Sequence, residues 1–497
     1  MCGCAPFPGT IPRWRQGEPE RVGAMTFRQE AERLIEALER YRAESQGGEP
    51  PVLRLLPIGE LIERLELARH VEAGGLTGEA LERFLDRYLE ATTRLHHPGY
   101  FAHQVAVPHH AGSLAAMIDG FVNNPMAIYE MGPAATAIEY FVVNWMLQKA
   151  GWVPAPAVPG SGEPGSHGAG VLTHGGSLAN LTALIAARTR IAPEVWEKGV
   201  PGDLAILAPA QSHYSIARAA GILGIGQGAL YPLEVDERGV VRPERLEAAL
   251  QRVTGDGRRP MALVANACST AVGLYDPLRE IGEFCRRHDI WFHVDGAHGA
   301  GALLSEKRRD LLDGVELADS MIWDAHKMLR TPALCAAVLV RDHRDLEQAF
   351  RQEASYLFHE KNQPGVDMIH RTVECTKAAL GLKFYLVLAA LGERGLAAFV
   401  DEQSEKALEA YRYLEAQPDF SCPVAPQSNI LCFAYRDWDE AHLRLRDRLI
   451  SDGRFYLSTT QWNGRWYLRL VFMNPDSGLE EVKALAGSIR RIAAERT

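Results

Sequence analysis

The chain has 497 residues, 47% hydrophobic and 23% charged, with a formal net charge of -10, a balance expected of a soluble globular protein with one large domain and smaller ones attached. The negative charge argues against a general affinity for nucleic acid or an anionic membrane surface, and no apolar run reaches the roughly 18 residues of a membrane span. The opening stretch MCGCAPFPGTIPRWRQG has no signal-type apolar core, Cys2 and Cys4 have no second ligand pair at zinc-like spacing, and Cys268, Cys335 and Cys432 sit inside apolar runs, so the expected compartment is a reducing cytoplasm and no metal is expected.

In chain order, residues 25–45, 59–71 and 77–94 carry helical apolar spacing with many charges, which predicts an N-terminal helical segment over 1–100, suited to wrapping a partner subunit. Residues 154–170, PAPAVPGSGEPGSHGAG, read as a loop. Strand-like runs follow at 170–174, 204–209, 261–268, 291–295, 320–323 and 335–341, separated in several places by helical stretches such as PLREIGEFCRRHD at 277–289. This alternation predicts an α/β domain over 101–375 with a mostly parallel, doubly wound sheet, whose ligands bind at the C-terminal ends of the strands. From 376 to 497 a long helix, a strand at 428–436, a helix at 438–451, two further strands and a final helix from about 478 predict a small α+β domain.

Three stretches carry the chemistry. In THGGSLANLTALIAARTR, residues 173–190, Gly175 and Gly176 end a strand and Ser177 is placed as the N-cap of a helix. A helix start offers N–H groups and partial positive charge to a phosphate, although a plain serine-capped turn has the same pattern. In WFHVDGAHGAGALLS an apolar strand ends on Asp295; Gly299 and Gly301 are followed by Leu304 where a dinucleotide fingerprint needs its third glycine, which excludes that reading. In DSMIWDAHKML another apolar strand delivers Lys327. Either charged residue alone reads as an ion-pair partner or a loop residue. Together, a phosphate-type helix start, a strand-end acid and a strand-end lysine suit pyridoxal 5'-phosphate: the lysine condenses with the aldehyde, the acid keeps the pyridine nitrogen protonated, and small residues such as Ala297 leave room for the ring.

GVLTHGGSLANLTAL, QSHYSIARAA, STAVGLYDPL, HVDGAHGAG and DSMIWDAHKML occur in the order and spacing of the group II pyridoxal-phosphate-dependent amino-acid decarboxylases, and the resemblance runs from HHPGYFAHQ at 96–104 to YLRLVFMNP at 467–475. The family includes glutamate, cysteine sulfinate, 2,4-diaminobutyrate and aromatic amino-acid decarboxylases. The resemblance implies an aspartate-aminotransferase-like fold of type I and a homodimer with active sites at the subunit interface. It implies that Gly176, Ser177 and His326 hold the cofactor phosphate, that His213 stacks on the ring, that Thr270 and Asp276 stand behind it, and that Arg469 binds a substrate carboxylate. Tyr356, in EASYLFHEKN, matches a loop tyrosine from the neighbouring subunit that delivers a proton to Cα after CO2 leaves; a phenylalanine there is associated with aldehyde formation. Glutamate enzymes have Asn-Gln where this chain has Ala102 and His103, so the substrate preference inclines to L-2,4-diaminobutyrate, with acidic and aromatic amino acids as alternatives. His109 and His110 either face the substrate or cap a helix. An aminotransferase and a non-catalytic cofactor-binding protein are the competing readings.

Overall fold

The computed structural model describes residues 26–157, 166–351 and 365–495. One unit consists of Arg54–Thr92 with the chain up to Glu44 and is helical: most of α1 (Phe27–Gly47), then α2 (Ile58–Arg64), α3 (Leu67–Ala73) and α4 (Gly78–Glu90). Its surface pairs, Arg33–Glu82 at 2.7 Å and Arg40–Asp86 at 2.7 Å, are exposed and contribute little each. The stretch 59–71, expected as one helix, is broken before Leu67 because Glu66 takes a left-handed φ of 52°. Its carboxylate lies 3.0 Å from both Arg69 and Arg87.

The other unit, Ser45–Leu53 with Thr93–Thr497, holds two sheets. The larger is built from β1 (Ala169–Thr173), β2 (Leu204–Pro209), β3 (Leu230–Leu233), β4 (Arg259–Asn266), β5 (Trp291–Asp295), β6 (Ser320–Asp324) and β7 (Ala336–Val340), in the order β1-β7-β6-β5-β4-β2-β3. Strands β2 to β6 run parallel, and β7 runs antiparallel to both neighbours, giving the mixed, mostly parallel sheet expected. Every residue of β1, β2, β5, β6 and β7 is buried, which explains their continuous apolar sequences: both sheet faces are covered.

The covering helices of this unit are α5 (His110–Val122), α6 (Pro133–Lys149), α7 (Gly176–Ile191), α8 (Val195–Lys198), α9 (Ser215–Ile222), α10 (Leu246–Gly255), α11 (Leu278–His288), α12 (His343–Ala349) and α13 (Leu380–Glu415). In α11, LREIGEFCRRH, the buried Leu278, Ile281, Phe284 and Cys285 recur at helical spacing. Its last turn, Arg286, Arg287 and His288, is basic, as the negative helix end favours, and Asp289 stops it with a left-handed φ of 52°. The long helix α13 is interrupted at Gly392, whose φ of 66° no other residue adopts as cheaply.

The smaller sheet, β8 (Phe420–Ser421), β9 (Ile430–Tyr435), β10 (Ser458–Trp462) and β11 (Arg465–Val471), is antiparallel in the order β10-β11-β9-β8. It packs with α14 (Ala441–Asp452) and α15 (Leu479–Ala494) through Phe433, Leu445, Leu468, Leu470, Leu485 and Ile489. No described helix is long and apolar enough to cross a membrane.

Register brings the site together. Thr173 at the end of β1 and Asp324 at the end of β6 both pair with Ala336 of β7, one on each side. Asp295, the last residue of β5, pairs with Ile322 of β6 and Asn266 of β4. The C-terminal ends of β1, β4, β5 and β6 therefore open at one edge, where an α/β sheet binds its ligand.

Candidate active site

A cavity of about 260 Å³ lies at that edge, and Gly176, Ser177, His213, Thr270, Asp295, Ala297, His326 and Lys327 all line it. These eight residues were each singled out from the sequence, and they come from five separate segments. His174, Asn180, Cys268, His298 and Asp324 line it as well and were not.

At one end stands the start of α7. Ser177, expected as the N-cap, lies inside the helix: the cap is Gly175, with φ 107° and ψ 159° and no side-chain cap bond. A glycine-only backbone conformation starts the helix two residues earlier than a cap at Ser177 would, and leaves the first N–H groups of α7 to a ligand. Asp324 is 2% exposed and faces this turn; a Cβ on Gly176 would lie 3.0 Å from its Oδ2. Asp324 Oδ2 is 3.1 Å from Lys327 Nζ and 3.6 Å from His326 Nε2, while its Oδ1 has no hydrogen-bond partner among the described residues. His326 is oriented by a 2.8 Å bond between Nδ1 and the Cys335 carbonyl.

At the other end is Asp295, 7% exposed. Its Oδ2 accepts from Asn180 Nδ2 at 3.0 Å and its Oδ1 from the Ala297 N–H at 3.2 Å. A buried carboxylate that has two neutral donors and no cation among the described residues is costly unless a cation arrives. His213 also lines the cavity, with Nδ1 held 2.8 Å from Ser215 Oγ. Burial lowers its pKa, Asp295 opposing the shift and Lys327 adding to it. His298 is 2% exposed, its Nε2 is 2.6 Å from Asn429 Oδ1, and burial drives its pKa down to about 3.

The small residues after Asp295 have two purposes. Ala297 lines the cavity. Gly299 and Gly301 instead let the backbone pack closely: a Cβ would come within 2.5 Å of Cys268 N and 2.9 Å of Met328 Cβ respectively.

Arg469 and His103 do not line the cavity. Arg469 on β11 is 6% exposed and, among the described residues, donates only to oxygens that carry no formal charge: Thr270 O at 2.8 Å, Ser458 Oγ at 3.2 Å, Ala271 O at 3.3 Å and Ala102 O at 3.4 Å. Through Thr270 it adjoins the lining. His103 Nε2 lies 2.8 Å from the Tyr456 hydroxyl, and burial, then Arg469 and Arg446, lower its pKa. Asp276 is buried away from the cavity; its oxygens accept from the N–H groups of Asn266 at 2.7 Å and Val241 at 3.0 Å, and burial raises its pKa to about 6. His109 caps α5, accepting from the Ala111 N–H, which settles that alternative for His109. Tyr356, Cys2 and Cys4 lie outside the described residues.

The donor set fits pyridoxal phosphate. A helix start, a histidine and an amine beside an incompletely bonded acid stand at one end, and a carboxylate with no cation partner among the described residues at the other. Residues 84–436 match the pyridoxal-dependent decarboxylase conserved domain. The chain is 30% identical over 440 residues to the acidic amino acid decarboxylase of Bos taurus, covering 83% of this chain and 81% of that protein. It is 32% identical over 419 residues to the L-2,4-diaminobutyrate decarboxylase of Rhizobium meliloti, covering 82% and 80%. Among solved structures, mouse CSAD superposes with a TM-score of 0.83 at 24% identity, covering 94% of this chain and 99% of that one. The Oryza sativa TDC with PLP and tryptamine gives 0.83 at 23% identity, covering 97% and 99%. The chain belongs to the family of pyridoxal-phosphate-dependent amino-acid decarboxylases.

Proposed function

We propose that this chain removes the α-carboxylate of an L-amino acid as CO2 and releases the primary amine, with Lys327 and Asp295 as the two residues on which the reaction turns. The observation that carries this reading is their presence in one cavity, with the start of α7 and His326 at the Lys327 end. When bound, pyridoxal phosphate supplies the sink for the electrons of the broken Cα–carboxylate bond. The chain's own residues do the rest. Lys327 offers the amine that holds the cofactor and later frees the product. Asp295 holds a proton at the facing ring nitrogen; an opposite charge in contact is worth on the order of 4 kcal/mol at an effective dielectric near 20. The N–H groups of Gly176 and Ser177, with His326, take the phosphate. His213, Ala297 and Thr270, which line the same cavity, would enclose the ring. Arg469, which adjoins the lining through Thr270, is assigned a substrate carboxylate on the resemblance. Tyr356 is assigned the protonation of Cα on the resemblance alone.

Two substrate classes compete. The Ala102-His103 segment and the Rhizobium meliloti relative favour L-2,4-diaminobutyrate. An acidic amino acid is favoured by the Bos taurus relative, an acidic amino acid decarboxylase, and by Arg469, which adjoins the lining through Thr270. We therefore place an acidic substrate first and diaminobutyrate second. Release of CO2 from glutamate, aspartate, cysteine sulfinate and 2,4-diaminobutyrate, compared by kcat/KM, tests the order; a higher value for the diamine reverses it. A homodimer accords with the exposed apolar face of α5, where Leu114, Ile118 and Val122 meet solvent, and a second copy of the chain is the proposed occupant. Sedimentation at micromolar concentration tests it.

A further inference from the structure

We infer that Asn180 is the node of a one-way hydrogen-bond chain that fixes the proton of His213 on Nε2, acting through Ser215. The inference rests on reading the cavity as the cofactor site. Its starting point is Asp295: a carboxylate only accepts, so the Asn180 atom 3.0 Å from Asp295 Oδ2 is the amide nitrogen, and the orientation of the Asn180 side chain follows. The second hydrogen of the same nitrogen goes to Ser215 Oγ at 2.9 Å. Ser215 Oγ, already accepting, donates its own hydrogen to His213 Nδ1 at 2.8 Å. The backbone N–H of Ser215 also points at His213 Nδ1, at 3.3 Å, so that nitrogen receives two donors and carries no proton.

The other branch agrees. Asn180 Oδ1 must accept, which puts a proton on His293 Nε2 at 2.8 Å. His293 Nδ1 then accepts from Ser320 Oγ at 2.8 Å, and Ser320 Oγ accepts from Trp291 Nε1 at 2.8 Å. Each donor in the chain meets one acceptor, and reversing any link would set two donors or two acceptors against each other. Asn180, Ser215, His293 and Ser320 are each no more than 1% exposed, so water does not compete.

The consequence reaches the cavity. A neutral His213 with its proton on Nε2, the ring nitrogen that has no hydrogen-bond partner among the described residues, presents a donor to whatever binds. It can steady an anionic oxygen of substrate or cofactor, and it cannot remove a proton from Cα. Asn180 and Ser215 are positioning residues: one amide group orients the acid that faces the ring nitrogen and the histidine beside the ring.

The test is two-bond 1H–15N correlation on the full chain labelled with 15N-histidine, without added cofactor, with His213 assigned by comparison with H213Q. The expected spectrum shows an unprotonated Nδ1 and a protonated Nε2 for His213. Ser215→Ala, which keeps the backbone N–H but loses the hydroxyl, should weaken this preference and lower kcat by on the order of tenfold with KM and cofactor affinity little changed, and Ser215→Thr should restore both. A protonated Nδ1 in the unsubstituted protein overturns the inference whether or not any variant folds, and so does a tautomer unaffected by Ser215→Ala. Failure of the unsubstituted protein to bind pyridoxal phosphate in an absorbance titration would instead overturn the reading of the cavity.

Discussion

Two lysine–carboxylate pairs lie close to the larger sheet, and they are built to opposite ends. In the first, Lys377 Nζ lies 2.5 Å from Glu139 Oε2, and both side chains are fully buried. The other Glu139 oxygen accepts from the Leu172 N–H at 3.0 Å, so the carboxylate is satisfied on both sides. In the second, Lys327 Nζ lies 3.1 Å from Asp324 Oδ2, but the lysine keeps 19% of its side-chain surface and Asp324 Oδ1 has no partner among the described residues. The closed pair ties α6 to the segment before α13 and to β1. The open pair holds an amine where it can be drawn away. Burial of an ion pair is thus no sign of chemistry; the incomplete bonding of one partner, facing a cavity, is.

Substitutions separate the two pairs. Lys327→Ala should lower decarboxylation by roughly 10³-fold or more and abolish the visible absorption of the bound cofactor, with the urea midpoint nearly unchanged. Glu139→Gln should do the reverse, costing about 3–5 kcal/mol of stability by leaving Lys377 uncompensated, while the absorption of the loaded protein keeps its position. Equilibrium denaturation and absorbance on the same samples decide both. If Glu139→Gln shifted the cofactor spectrum, or Lys327→Ala unfolded the chain, the division between closed and open pairs would fail.

A pH titration sharpens the contrast between buried groups that stay neutral and those that carry charge. His298 has its pKa lowered from 6.5 to about 3, so the unfolded chain takes up its proton first as pH falls. Its contribution to stability is whole above 6.5 and is lost on the way down to 3. His298→Gln should therefore flatten the fall of unfolding free energy between these limits by about 1.4 kcal/mol per pH unit. The smallest effect concerns Asp324. Its carboxylate faces the helix start and the histidine assigned to the phosphate, so Asp324→Asn should slow cofactor loss during dialysis, by about tenfold. Faster loss would show that the acid supports the phosphate end instead.

The sequence made some of this legible and hid the rest for physical reasons. β2 and β5 were read to the residue, because fully buried strands are apolar runs with sharp ends. β3 was missed: it is an edge strand of four residues, with only Leu233 buried and Pro232 exposed, and β8 has only two residues. The cap was expected at Ser177, two positions late, because serine is the commoner cap, yet Gly175 holds a conformation that serine avoids. Asp295 and Lys327 stood out as single charges ending apolar runs. Asp324 and His298 sit just as near the ends of those runs, and Asn180 is a lone polar residue in an apolar helix; periodicity gives no signal for any of the three. Only the strand order, which puts β1 and β6 on either side of β7, shows that α7 and Asp324 meet.

The most direct measurement incubates the protein, loaded with pyridoxal phosphate, with an acidic L-amino acid and counts CO2, amine and keto acid together. The account predicts CO2 and primary amine in equal amounts, no keto acid, and loss of both products in Lys327→Ala. Keto acid without CO2, or product formation undiminished in Lys327→Ala, would contradict it.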